Sequence, residues 1–280
     1  MKILEVNNLS VQRADTINVV SNVSFSVEPG ARLGLIGESG SGKSMTALAI
    51  MGLLPAELKA SGSLLLGNGK EAPQQILGAS ERTLNQIRGV VASIVFQEPL
   101  TALDPLMKIG RQLSEPLRRW HGLKDVALHD AVISALAEVH INNPKRIAGS
   151  HPYEISGGER QRAAIAMALA CKPALLIADE PTTALDVTVQ AEILALLDAV
   201  VSDRGMSLLF ISHDLAVVSR ITDHVLVLKD GSVVESGSLR DVIRTPQHPY
   251  TRELVASAKQ LDNALDLAKK IGDSNDFNNS

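Results

Sequence analysis

Four short apolar runs constrain this chain more than any other feature: Leu33–Ile36, Leu175–Ala178, Ser207–Ile211 and His224–Leu228. None is long enough for a helix, and all lack the strict polar alternation of a strand with one wet face. Such runs suit parallel strands covered on both faces, and the helical patterns between them supply the covers. The first run leads into Gly37-Glu38-Ser39-Gly40-Ser41-Gly42-Lys43-Ser44, and MTALAIMGLL after it reads as a helix stopped by Pro55. Strand, glycine-rich loop and helix in that order bring backbone N–H groups and a helix N-terminus to bear on phosphate oxygens. Lys43 adds a point charge for β- and γ-phosphates, and the Ser44 hydroxyl suits Mg2+. A flexible Gly/Ser loop is the plainer reading. The preceding strand, the spacing, the lysine and the serine all argue against it.

A second block, His151 to Asp186, carries the rest of the chemistry. Asp179 and Glu180 end the buried run at Leu175–Ala178, the strand edge where open α/β sheets place ligands. Adjacent carboxylates there divide the labour: Asp179 for the Mg2+ shell, Glu180 for orienting and polarising a water. Ser156 with Glu159 three residues on forms a capping box for the helix carrying Arg160, Gln161 and Arg162. Two poor helix formers, Gly157 and Gly158, open that helix, which suits close approach of backbone to a ligand. Gln97, at the end of the β-rich run Val90–Phe96, is placed to sense a γ-phosphate or Mg2+. His213 follows another apolar strand and is placed to hydrogen-bond a γ-phosphate. Alone, each of these last two reads as an ordinary surface residue.

Composition sets the limits. The 280 residues are 45% hydrophobic but only 2% aromatic, so the core is built from Leu, Ile, Val and Ala. A formal charge of −4 gives no footprint for generic nucleic-acid binding. One cysteine, Cys171, excludes an internal disulfide and fits a reducing compartment as a small buried residue. No signal-peptide core opens the chain, and no window approaches the ~20 apolar residues of a membrane span. These patterns lead us to expect an intracellular protein that reaches a membrane only through partners. The segment VSFSV (Val23–Val27) alternates as an edge strand, Leu64–Leu66 returns as a strand, and Gly67–Gln75 reads as a variable surface loop. From about Leu100 to Ser150 the pattern is helical, with Pro105 and Pro116 as punctuation. Lys229-Asp230-Gly231 reads as a hairpin turn. After Thr245 come a Pro-rich joint, an amphipathic stretch and an end, GDSNDFNNS, expected to be disordered. No internal repeat is present, so one nucleotide-binding unit is expected.

Taken together and in order, these segments resemble the ATP-binding cassette proteins. GESGSGKS is similar to Walker A, Gln97 to the Q-loop, ISGGERQR to the family signature and LLIADE to Walker B. Ala184–Asp186 is similar to the D-loop and His213 to the switch histidine. The resemblance runs from about Ile3 to Gly237. Further phrases, MGLLP, VFQEPLTALDP, DEPTTALDVTVQAEIL and HPYTREL at His248–Leu254, are similar to ATPase subunits of bacterial oligopeptide, dipeptide and nickel importers.

This resemblance implies an α/β fold: a RecA-like P-loop NTPase core, an N-terminal antiparallel β subdomain and an inserted helical subdomain. The ATP-binding domain is expected over 1–245, its helical part over about 98–164, with a tail at 246–280. The implied activity is hydrolysis of ATP with Mg2+, coupled to import. The implied catalytic residues are Glu180, His213, Gln97 and Lys43. The implied nucleotide contacts are Gly37 to Ser44, Gln97, Ser156, Gly157, Gly158, Gln161 and Asp186, with Ser44, Gln97 and Asp179 around the metal. The implied partners are a second cassette, commonly a different subunit, two permeases and an extracytoplasmic binding protein, with this chain peripheral on the cytoplasmic membrane face. Each ATP would lie between one chain's phosphate loop and the other's Ser156-Gly157-Gly158. Two departures stand out. No aromatic for adenine stacking occurs near Arg13-Ala14, where an arginine can stack instead, and residues 246–280 lack the cysteines that hold an iron–sulphur cluster in several relatives, so no cluster is expected. Peptide, nickel, glycoside and opine-like cargo all remain open, as do a homodimeric pairing, a cassette acting on ribosomes or DNA, and a small-molecule kinase on the same loop.

Overall fold

The computed structural model describes residues 1–13, 17–183 and 186–259. The apolar runs form a six-stranded sheet: β3 (Arg32–Ile36), β6 (Ala92–Val95), β7 (Leu175–Asp179), β8 (Ser207–Ser212), β9 (His224–Lys229) and β10 (Ser232–Ser238), in the order β10-β9-β3-β8-β7-β6. All neighbours are parallel except β9 and β10. The β9–β10 hairpin turns at Asp230 and Gly231, whose φ angles of 49° and 79° are those a tight two-residue turn demands.

Alternate residues of each parallel strand feed different cores. Leu176, Ala178, Leu208 and Phe210 pack with the helices of one layer. Leu175, Ile177, Leu209 and Ile211 pack toward α1 (Lys43–Ile50) and a second sheet. A run wet on neither face must be apolar throughout, and this is why these strands show no alternation.

The second sheet is antiparallel, in the order β2-β1-β4-β5, from β1 (Leu4–Arg13), β2 (Ile17–Val27), β4 (Leu58–Leu66) and β5 (Gln74–Gln75). Strand β4 starts well before Leu64 because Leu58 to Ser61 pair with β1 across a register shift between Asn7 and Ser10. Gly62, at φ 103° with Asn8 O only 2.5 Å from a would-be Cβ, makes that bulge possible.

Helix α1 also departs from its sequence pattern. It ends at Ile50 rather than running to Pro55: Gly52 turns left-handed, and Leu53 N–H reaches Leu48 O at 2.8 Å. That closure is a Schellman motif, so a glycine stops the helix before the proline is reached. Helix α2 (Glu81–Ile87) precedes β6, and between β6 and β7 lie α3 (Pro99–Ala102), α4 (Ile109–His121), α5 (Asp125–Glu138), α6 (Pro144–Gly149) and α7 (Gly157–Leu169). Pro116 lies inside α4 and does not punctuate it; the buried stripe Ile109, Gln112, Leu113 and Leu117 carries the helix past the missing N–H. Helices α8 (Val187–Arg204), α9 (Leu215–Val218) and α10 (Leu239–Arg244) complete the layers, and a last helix, α11, spans residues 249–259. No described helix is long and apolar enough to cross a membrane. The end GDSNDFNNS, expected to be disordered, lies outside the described residues, as do the rest of the tail beyond 259, Ala184, Leu185 and Ala14.

Candidate active site

The loop after β3 is shaped by close approach. Gly37 is buried, and a Cβ there would stand 2.3 Å from Leu228 O. Gly42 has φ 96°, and its Cβ would meet Val19 O at 2.7 Å. Within that loop Lys43 is 4% exposed, and its Nζ donates to the carbonyls of Gly37 at 2.8 Å and Glu38 at 2.9 Å. Burial pulls the ammonium below the usual lysine pKa, against the pull of Glu180, Asp179 and Glu38.

Asp179 closes β7 opposite Ile211 of β8 and is 6% exposed. Its Oδ1 accepts from the Ser44 hydroxyl at 3.1 Å, joining the helix start to the strand end. Burial raises its carboxyl above the ordinary range, with the Ser44 hydrogen bond working the other way. A desolvated carboxylate beside a hydroxyl, with no dense ligand cage around it, is the donor set of a hard cation shared with a substrate phosphate. Among the described residues no group of three or more His, Cys, Asp or Glu gathers as a metal cage. The Ser44 hydroxyl and the buried Asp179 carboxylate are hard oxygen donors of the kind that suits Mg2+.

Glu180 leaves the strand at φ 49°, a left-handed conformation costly for a non-glycine residue. Its N–H is held by Ile211 O at 2.9 Å, so the β7–β8 ladder fixes the turn. The carboxylate then faces three groups: Thr183 Oγ1 donates at 2.9 Å, His213 Nδ1 stands at 3.1 Å and Lys43 Nζ at 3.9 Å. His213 follows β8 and keeps a 55% exposed side chain, open to an incoming ligand. Lys43, Ser44, Asp179, Glu180 and His213 thus converge at one edge of the sheet. Gln97 follows β6, next to β7 in the sheet, and is exposed.

Among the described residues, no hydrogen bond or ion pair joins Ser156, Gly157, Gly158, Gln161 or Asp186 to this cluster. Ser156 is exposed and caps α7: its Oγ accepts from Glu159 N–H at 3.2 Å, and Glu159 Oε2 accepts from Ser156 N–H at 2.9 Å. Gly158 faces α8, where a Cβ would meet Val189 Cγ1 at 3.2 Å, while a Cβ at Gly157 would touch only Arg160 Nη2, at 3.8 Å. Arg160 donates to Ile155 O at 2.8 Å, and Gln161 is 1% exposed. Asp186 caps α8, accepting from Val189 N–H at 3.0 Å. Arg13 ends β1 and is exposed. Two residues at the site escaped the sequence reading. Thr183 was visible only as a hydroxyl three positions after Glu180; Tyr250 contacts the loop from the far end of the chain.

The family profile described as ABC transporter matches residues 20–183. The chain belongs to the ABC transporter family. It is an ATPase of that family, and the sequence resemblance and the α/β fold expected from it hold. A Brucella ovis protein named for peptide import and ATP binding is 45% identical over 260 residues, covering 92% of this cassette and 77% of the relative. The Escherichia coli glutathione import ATP-binding protein is 42% identical over 267 residues, 92% of this cassette and 42% of the relative. A peptidoglycan transport ATP-binding protein of Agrobacterium fabrum is 46% identical over 260 residues, 91% and 47% of the two chains. Among solved structures, a dimeric ATP-binding cassette in a post-hydrolysis state with ADP and phosphate superposes with TM-score 0.73 at 27% identity. The match covers 85% of this cassette and 99% of that one.

Proposed function

We propose that this chain is the ATP-hydrolysing subunit of a peptide-class importer, working from the cytoplasmic membrane face with two permeases and a binding protein. The observation that carries the catalytic part is the convergence of Lys43, Ser44, Asp179, Glu180 and His213. The cargo class rests on relatives named for peptide, glutathione and peptidoglycan transport.

In this reading ATP lays its phosphates along the loop from Gly37 to Ser44. Lys43 then exchanges its carbonyl partners for β- and γ-phosphate oxygens. Ser44 and Asp179 would hold Mg2+, with Gln97 as a further ligand; bound there, the ion would neutralise phosphate charge. Glu180 takes a proton from the attacking water, with Thr183 fixing the carboxylate rotamer. His213 turns toward the γ-phosphate and couples it to Glu180.

The signature segment serves a facing cassette rather than this chain's own loop. Ser156, Gly157 and Gly158 present a capped helix start for the phosphates of the partner's ATP, supported by Gln161 behind them and Asp186 at the junction. The pairing is with a different cassette subunit. Deleting the chain from its cells and measuring di- and oligopeptide uptake tests the function; wild-type uptake of every peptide length would refute the cargo class.

A further inference from the structure

The tail phrase HPYT reaches the phosphate loop, and a helix that merely packed would not need to. Helix α11 buries Tyr250, 7% exposed, and Val255, 5% exposed, in the main core. Phenylalanine would serve that packing equally well. Instead the Tyr250 hydroxyl accepts the backbone N–H of Glu38 at 2.7 Å, across 212 residues of sequence. Glu38 is thereby held from both sides, because its carbonyl accepts from Lys43 Nζ at 2.9 Å and from Ser41 N–H at 3.2 Å.

The ring itself is fixed. Lys229 Nζ stands 4.9 Å from its centroid, at the end of the strand whose Leu228 carbonyl crowds Gly37. The joint before the helix is pinned as well. Glu235 on β10 accepts from the N–H groups of Gln247 and His248, both at 2.9 Å. Burial acts to raise the Glu235 carboxyl, but those N–H groups prevail and hold it below the usual range.

We propose that residues 246–259 form a strap and that Tyr250 is a positioning residue for ATP, setting the Glu38 peptide from which Lys43 is aimed. The proposal rests on the reading of Gly37–Ser44 as the ATP site and adds its regulation by the tail. Movement of the strap, by any partner that grips α11, would change nucleotide affinity without touching the nucleotide.

The test is Tyr250→Phe in the full chain, which keeps the ring, its burial and the Lys229 contact. ATP affinity by calorimetry should weaken about three- to tenfold, the cost of one hydrogen bond lost at a loop that must be pre-shaped. Amide exchange at Glu38 should accelerate, while α11 stays protected and the melting midpoint falls by no more than about 2–4 °C. Lys43→Ala, run beside it, should abolish binding. If Tyr250→Phe binds ATP within twofold of the unaltered chain while Lys43→Ala fails to bind, the strap is refuted and the ATP site stands. If Lys43→Ala binds normally, the ATP-site reading itself falls, and the strap with it.

Discussion

Replacing Glu180 with Gln tests the division of labour at the strand edge. The carboxylate side chain is 12% exposed and lies 3.9 Å from a lysine that is 4% exposed. At an effective dielectric of about 20 that pair attracts by about 4 kcal/mol, gross of desolvation. The amide gives up this attraction but keeps the size and can still accept from Thr183. It also removes a negative charge facing the phosphates, so ATP affinity should stay within about threefold or tighten. A lost general base lowers turnover by about 10²–10⁴-fold, equivalent to about 3–5 kcal/mol of barrier. Single-turnover release of labelled phosphate, beside equilibrium binding of ATP, separates the two effects. Hydrolysis within tenfold of the unaltered chain would remove Glu180 from the proton-transfer role.

Two further substitutions probe its neighbours. Thr183→Val keeps the shape and deletes the hydroxyl that Glu180 accepts from at 2.9 Å; kcat should fall about five- to thirtyfold with KM little changed, and an unchanged kcat would leave Thr183 without a positioning role. Asp179→Asn tests linkage: because burial raises the folded-state pKa of Asp179, stability is lost as pH rises from the ordinary carboxylate range through that raised value. The nucleotide-free variant should therefore melt higher at pH 7, the gain vanishing in acid below both values, while Mg2+-dependent turnover is lost; a lower melting point at pH 7 would contradict the burial argument.

What the sequence made legible was whatever local pattern specifies. Strands β7, β8 and β9 announced themselves because both faces are dry, and Ser156 with Glu159 announced a helix start because a capping box closes within four residues. Asp179 and Glu180 could be placed because the buried run ends on them. The misses share a different cause. Helix α1 stops on a glycine whose left-handed turn competes with a proline farther on, and β4 extends through Lys59 and Ser61 only because β1 lies beside it. Pro116 is tolerated because the rest of α4 is anchored in the core. Tyr250 acts on Glu38 through a contact that no local window contains.

In the proposed mechanism the two ends of the segment from His151 to Asp186 serve different ATP molecules. Ser156→Arg, placed in the assembled complex and in the isolated chain, addresses it directly. Ser156 is exposed and makes its described side-chain bond only within its own helix cap, so ATP affinity of the isolated chain should not change. Turnover of the complex should collapse, because the partner's ATP loses its lid. Full turnover, or lost affinity in the isolated chain, would contradict the claim.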